Sequence, residues 1–576
     1  MSTKHFATDI DQLVVDCLDY LTLSNPTLKY YKSDKVVAYT QHDGNKNVSV
    51  VSGGGAGHEP AHAGFVGAGM LTAAVSGWIF ASPSVPQITA GIHHVGGSKG
   101  TLLIIKNYTG DIFHFSLAAE KARAQGRPTA VVVVGDDVAV GRKKSGKVGR
   151  RGLAGTTLVH KVAGAVAADP ASSLADVVKA AQDVADNLVT VGVSLNHVHI
   201  PGRAIEKENI LGESEVEVGL GIHNEAGCQR LSPIPPLPSL VTSLLDQLLD
   251  QNDKDRAYVD FSDAESVVLM VNNLGGLSPL ELGAISAETL KQLSARTDIR
   301  YPDRVATGTY MTSLDGPGFS LTLLKTTKCV LPMLDSSVGA SGWTPICKTA
   351  SVDSAERVII EATTKTEIAP ASGTLIDVSA FKSMLSNACD RVIAAEGLIT
   401  KYDTIVGDGD CGYTLKRAAE AVLGYIKGEV PKSVNAVIEL ADTVEDNMDG
   451  TSGAIFGIYL NALAASCAEV HDGSDTPLDT AGWSKAGLGA LEKLLKATPA
   501  RVGDRTLIDA LDPFVRTLAE TNSLSKAATA AKAGCDSTQG MRASLGRAVY
   551  VSESGYDRVP DPGAMGIAAI AEGLAQ

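Results

Sequence analysis

Tyr402-Asp403-Thr404-Ile405-Val406-Gly407-Asp408-Gly409-Asp410-Cys411-Gly412 places three carboxylates within one short, glycine-punctuated turn. Glycines on both sides of Asp408 let the backbone fold tightly enough for Asp403, Asp408 and Asp410 to converge. Converging carboxylates repel unless a cation sits between them, and hard oxygen ligands select Mg2+ or Ca2+. An isolated Asp-Gly-Asp also reads as a plain surface turn. A calcium loop fits less well, because the EF-hand spacing and its closing Glu are missing. Mg2+ shares its shell with phosphates, so with its surroundings this turn reads as a nucleotide-phosphate site.

Those surroundings are helical. Val378, Phe381, Leu385, Ala388 and Val392 recur at spacings of three and four behind Asp377, a suitable N-cap. Further helices are expected over 433–446, 453–469, 483–497, 506–518 and 525–540, with the Asp turn joining the first two helices of an all-α domain over 374–576. The stretch 346–373, rich in Ala, Ser and Thr, reads as a linker, with a run at Val358-Ile359-Ile360 that is a candidate for local order.

Residues 1–345 read as α/β, subdivided near 200. Val48–Val51 leads into Ser52-Gly53-Gly54-Gly55-Ala56-Gly57-His58-Glu59-Pro60, Leu102–Lys106 into Asn107-Tyr108-Thr109-Gly110-Asp111, and Ala130–Val134 into Gly135-Asp136-Asp137. Short β-branched runs ending in polar or glycine residues suit buried parallel strands whose carboxyl ends form a site. A helix is expected over 115–125. A second α/β unit is expected after Pro201-Gly202, with a strand at Ser266–Val271 followed by Asn272-Asn273-Leu274-Gly275-Gly276.

With 576 residues the chain exceeds one ordinary core. Its 44% hydrophobic and 20% charged residues exclude wholesale disorder, and a formal charge of −15 disfavours nucleic acid or an anionic membrane as partner. No apolar run approaches the roughly 18 residues of a membrane helix, and no signal peptide is read at the N-terminus. Eight cysteines without a CxxC pair fit a cytoplasmic location. Of twelve histidines, eleven fall at or before His223. Histidine chemistry and carboxylate–metal chemistry therefore belong to different domains.

Several motifs can carry chemistry. The glycines before His58 let backbone N–H groups approach a ligand, without a Walker or dinucleotide pattern. His223, within Gly219-Leu220-Gly221-Ile222-His223, is either an ordinary histidine or a base, ligand or nucleophile. Asp111, downstream of Lys106, caps a turn or orients a hydroxyl. Thr451 and Ser452 in Gly450-Thr451-Ser452-Gly453 open a helix whose free N–H groups suit phosphate. Gly503-Asp504-Arg505-Thr506 precedes another helix, and Asp561-Pro562-Gly563-Ala564 forms a rigid turn.

These motifs together resemble the single-chain, ATP-dependent dihydroxyacetone kinases (glycerone kinases, triokinases). The resemblance rests on GGGAGHEP at 53–60, KNYTGD at 106–111, GRRGLAGT at 149–156, GLGIH at 219–223, VGDGDCG at 406–412, GTSG at 450–453, GDRT at 503–506 and VPDPGAMG at 559–566. It implies a substrate-binding region of two α/β units and a helical, barrel-like domain holding Mg–ATP. It implies that His223 binds the ketone carbon as a hemiaminal, and that Gly55, Ala56, Gly57, His58, Lys106 and Asp111 contact dihydroxyacetone or glyceraldehyde. Asp111 and His58 then share the general-base and orienting roles. Asp403, Asp408 and Asp410 hold two Mg2+ ions, and Asp410, Cys411, Gly412, Tyr413, Thr451, Ser452, Arg505, Asp561, Pro562 and Gly563 line ATP. A neutral imidazole is needed for attack, so activity is expected to fall below roughly pH 6.5. The resemblance also implies a homodimer, and separate domains require one site to close on the other. Ala56, Ala226 and Asp449 depart from Ser, Pro and Gly of many members. Two rivals follow: an FAD-cleaving lyase forming cyclic flavin phosphate at the same nucleotide site, and a non-catalytic carbonyl-sugar regulator. A version drawing phosphate from a carrier protein is disfavoured by the fused helical domain.

Overall fold

The computed structural model describes residues 5–7, 9–203, 210–350, 373–471, 474–545, 549 and 558–576. The chain divides into two compact units between Ile360 and Glu361. That boundary lies outside the described residues, as does the Val358–Ile360 run.

The first unit holds two sheets. In the first, β1 (Leu28–Tyr31), β2 (Val36–Tyr39), β3 (Ser49–Ala56), β4 (Ala73–Ile79), β5 (Thr101–Lys106) and β6 (Thr129–Val134) lie in the order β1-β2-β4-β3-β5-β6. From β4 to β6 the strands are parallel, and each β-branched run is a strand, buried in β3 and β5 but with Val133 exposed in β6. β3 runs through the glycines rather than stopping before them. A Cβ on Gly53 would come within 2.2 Å of Val75 O, so glycine here permits the close β3–β4 approach.

The second sheet contains β7 (Leu188–Ser194), β8 (Val216–Val218), β9 (Gln229–Leu231), β10 (Ser266–Asn273), β11 (Arg304–Gly308), β12 (Gly318–Thr326) and β13 (Cys347–Lys348), ordered β13-β11-β10-β12-β7-β8-β9. Only β10 and β11 pair in parallel. Its first strand begins at Leu188, ahead of the division expected near 200. Its edge strand β13 lies within the stretch read as linker, because Cys347 and Lys348 pair with Val305 and Arg304.

The sheets meet through polar groups as well as through a shared apolar core. Asn272, fully buried at the end of β10, accepts from the N–H groups of Tyr310 and Met311 at 2.8 and 2.9 Å and donates to Met311 O at 2.8 Å. The chain continuing from there grips the loop after β3: Leu314 N–H donates to Gly57 O at 2.8 Å and Thr312 N–H to His58 O at 3.2 Å. One buried amide thus fixes the segment that fixes the histidine loop.

Among the described residues the second unit is helical: α1 (Val378–Val406), α2 (Cys411–Lys427), α3 (Asn435–Asn447), α4 (Gly450–Val470), α5 (Thr480–Ala497), α6 (Ile508–Thr521), α7 (Leu524–Ser537) and α8 (Pro562–Leu574). Asp377 caps α1 through Ser379 and Ala380 N–H. Each helix packs on the next, and α8 returns against α1. They surround an apolar cavity of about 600 Å³ lined by residues such as Phe381, Leu415, Val444, Tyr459 and Ile567. α4 is long and apolar enough to cross a membrane by length and composition alone. It packs between α3 and α5.

Replacing Asn272 with Leu strands two buried N–H groups and a carbonyl. Chemical denaturation of the first unit is expected to show a loss of about 3 kcal/mol or more; a loss below about 0.5 kcal/mol would contradict the bracing role.

Candidate active site

His58 follows β3 and is fully buried; His223 sits in the turn after β8. Their Nε2 atoms lie 3.0 Å apart. His58 Nδ1 faces Thr312 O at 2.8 Å, so it carries a proton and donates. His223 Nδ1 faces Glu225 Oε1 at 2.8 Å and is likewise the donor. Both Nε2 lone pairs therefore point at each other, and the contact is attractive only when one proton lies between them. A single proton shared by the rings would satisfy both Nε2 atoms. Burial, aided by Lys106, pushes the His58 imidazole well below its ordinary value, while the hydrogen bond and charge of His223 hold Glu225 down at about 2 against its own burial. Phe80, Tyr108 and His58 surround the His223 ring, whose side chain keeps 18% exposure and so remains reachable.

The His223 turn is locally determined. Glu225 Oε2 also accepts the His223 N–H at 2.9 Å. That carboxylate occupies space next to Gly221, where a Cβ would lie 2.0 Å from Oε2. Asn224 adopts φ 65° and clasps Val198 through both side-chain ends. Arg151, from the GRRGLAGT motif, joins Asp137 to Gly219 O and braces the turn from behind.

Lys106 ends β5, buried, its ammonium 5.5 Å from the Tyr108 ring centroid. Burial lowers it to about 8 although Asp111, Glu225 and Glu59 oppose the shift. Asp111 is not a turn cap: the helix expected from 115 begins at Thr109, and Asp111 lies in its first turn, accepting from Ser82 Oγ at 2.5 Å. Gly55 packs its Cα against Ala81 N and Gly57, at φ 98°, against Phe80. Ala56 lies in the apolar core. His58, His223, Lys106, Asp111 and the glycines of β3 thus gather in one unit.

In the second unit Asp403 ends α1, Asp408 lies in the turn and Asp410 precedes α2. One oxygen from each falls within 4.8 Å of the others. Gly407 leaves the space that Asp403 Oδ1 fills, and Asp403 Oδ2 accepts the Cys411 N–H at 3.0 Å. An all-oxygen cluster of three carboxylates fits a hard divalent cation. Burial and the surrounding carboxylates push the Cys411 thiol to about 12, so it stays protonated. Gly412 presses on Thr400 and Glu396, and Tyr413 is exposed.

The turn at Asp561 faces the same group of charges. Its carboxylate caps α8 through Ala564 N–H at 2.8 Å, and burial raises it to about 6. Pro562 and Gly563 form the first turn. Arg505 is buried at φ 59°, its guanidinium donating to Thr538 O and Val559 O. It anchors the loop that carries Asp561 instead of presenting its charge outward. Thr451 and Ser452 open α4. Asp449, which adds a charge there, is neutralised by Arg417 of α2 at 2.5 Å. Glu225, Ser82, Thr312 and Asn272 were not singled out from sequence; only Glu225, two residues after His223, offered a local signal.

Residues 19–342 match the Dak1 domain and 405–576 the DAK2 domain. The chain belongs to the dihydroxyacetone kinase family. It is 45% identical to a dihydroxyacetone kinase of Pichia angusta over all of this chain and 98% of that one. It is 39% identical to the human triokinase/FMN cyclase, covering 99% and 98%. Its fold matches the dihydroxyacetone kinase of C. freundii in complex with AMP-PNP and Mg2+, with a TM-score of 0.65, 30% identity and coverage of 100% and 99%.

Lys106 gives a direct check on the electrostatics of the family's first domain. NMR of 15N-lysine-labelled protein should show two amines titrating near pH 8, Lys106 and Lys161, each charged below and neutral above. An assigned Lys106 midpoint near the ordinary 10.5 would contradict the burial assigned to it.

Proposed function

We propose that the protein transfers the γ-phosphate of ATP to dihydroxyacetone, and to glyceraldehyde, with the ketone held covalently on His223. The 3.0 Å approach of His58 and His223 carries this reading. Glu225 orients His223 so that its Nε2 lone pair attacks the carbonyl carbon. As that bond forms, the shared proton passes through His58 Nε2 to the carbonyl oxygen, giving a hemiaminal alcohol. The positive charge moves onto the alkylated imidazole, beside the Glu225 carboxylate. A ligand without a carbonyl offers nothing to attack. Asp111, held by Ser82, takes the proton of the reacting hydroxyl.

In the helical unit, Asp403, Asp408 and Asp410 would hold two Mg2+ ions, whose charge offsets that of the triphosphate. The α4 start with Thr451 and Ser452, the α2 start from Asp410 to Tyr413, and the turn Asp561 to Gly563 line the nucleotide, with Arg505 fixing the last of these. The closed packing order of the helices supports a barrel-like architecture. The division into a substrate region ending near 345 and a nucleotide region from 374 follows the same assignment. Eight free thiols suit a reducing cytosol. A second reading, flavin-nucleotide cyclisation at the nucleotide site, is favoured by the likeness to the human triokinase/FMN cyclase.

A coupled assay of ADP release tests the reading. Dihydroxyacetone-dependent turnover is expected in the wild type, reduced at least ~100-fold in Asp408→Ala and strongly impaired in His223→Ala. Full turnover in His223→Ala would remove the covalent tether. Cleavage of FAD with Mn2+ and no ketone-dependent turnover would favour the cyclase.

A further inference from the structure

Beside the histidine pair, the buried polar atoms with no hydrogen-bond partner among the described residues include His62 Nε2 and Lys106 Nζ. His62 Nε2 and the Lys106 side chain converge on one place. A Cβ on Gly54 would stand 3.6 Å from Asp111 Oδ2, 3.7 Å from His62 Nε2 and 3.7 Å from Lys106 Cε. At Gly53 and Gly55, by contrast, backbone atoms crowd the same position at 2.2 and 2.7 Å. An oxygen seated against the bare Cα of Gly54, just beyond a Cβ position, comes within reach of all three side chains.

The protonation of His62 follows from its neighbours. Ser52 Oγ donates to Ile104 O at 2.6 Å, which leaves it only lone pairs for His62 Nδ1 at 3.3 Å. His62 Nδ1 also lies 3.0 Å from His160 Nε2. A proton on Nδ1 serves both neighbours, at the cost of leaving the proton of His160 on its own partnerless Nδ1; a lone pair on His62 Nδ1 would face the lone pairs of Ser52. His62 Nε2 is then a bare acceptor, and the cation of Lys106 beyond it favours the same tautomer. Burial keeps both His62 and His160 neutral.

We propose that His62 is a further substrate-contacting residue: its Nε2 accepts the hydrogen bond of a hydroxyl of the bound hydroxyketone, while Lys106 donates to the same oxygen. His160 acts through His62, as a positioning residue. This rests on the cleft being the dihydroxyacetone site. A hydroxyl supplies both the donor that His62 requires and the acceptor that Lys106 requires; its single proton goes to His62, and Asp111 takes the proton of the ligand's other, reacting hydroxyl. An alkyl group at that place leaves both buried atoms unmet, so the pair selects hydroxylated ketones.

The test uses full-length protein labelled with 15N-histidine and titrated with dihydroxyacetone in the absence of nucleotide. The His62 resonance is assigned by its loss in His62→Gln. A saturable shift of the His62 Nε2 signal is expected, with about ten-fold or greater loss of dihydroxyacetone affinity by calorimetry in His62→Phe. His62→Gln, whose amide oxygen can accept, should recover part of that loss. Shifts of His58 and His223 with His62 unmoved would overturn the proposal and leave the site standing. Unaltered affinity in folded His62→Phe would do the same. If no histidine signal responds, the site assignment falls and the proposal with it. Should His62→Phe fail to fold, the wild-type spectra still decide.

Discussion

Two imidazole Nε2 atoms 3.0 Å apart form a contact that neutral rings anchored through Nδ1 would avoid. It exists because each ring is held from its far side, His58 by Thr312 O and His223 by Glu225. Thr312 is placed by Asn272 and by the loop after β3; Glu225 is placed by Gly221, Asn224 and the brace at Arg151. The first unit can be understood as scaffolding for that contact. Its two sheets supply one ring each, and neither sheet alone makes the pair.

The second unit solves a different electrostatic problem. Three carboxylate oxygens within 4.8 Å of one another carry a repulsion that a cation relieves. The chain accepts it by removing Cβ atoms at Gly407 and Gly412, so that Asp403 can tuck into its own helix end and α2 can begin against α1. Charges nearby are handled by burial or pairing: Asp561 is buried as a helix cap, Asp449 is matched by Arg417, and Arg505 is spent on carbonyl oxygens. The departure at 449 therefore adds little net charge at the helix start.

Patterns of period and spacing were legible in the sequence. The β-branched runs at 102–106 and 130–134 are strands, and the apolar spacing from Val378 marks the first helix of the second unit. The Asp turn joins two helices as its glycines suggest. What spacing did not reveal depends on approach in three dimensions. The glycines at 53–55 read as a loop, yet they continue a strand because β4 comes close enough to exclude side chains. Asp111 read as a turn cap or a hydroxyl-orienting group, and it lies in the first turn of a helix that starts ahead of it. His62 carried no signal, since its significance lies in what stands around Gly54. Arg505 read as a residue lining a nucleotide, and spacing gave no sign that it is buried with its guanidinium on the carbonyls of Thr538 and Val559.

The covalent tether on His223 is the claim from which the chemistry of the first unit follows. 13C NMR of [2-13C]dihydroxyacetone bound to the protein, without nucleotide, tests it most directly. The account predicts that the bound C2 signal leaves the ketone region for that of a tetrahedral carbon, and that His223→Ala abolishes this change. A bound ligand whose C2 remains a carbonyl in the wild type would contradict it.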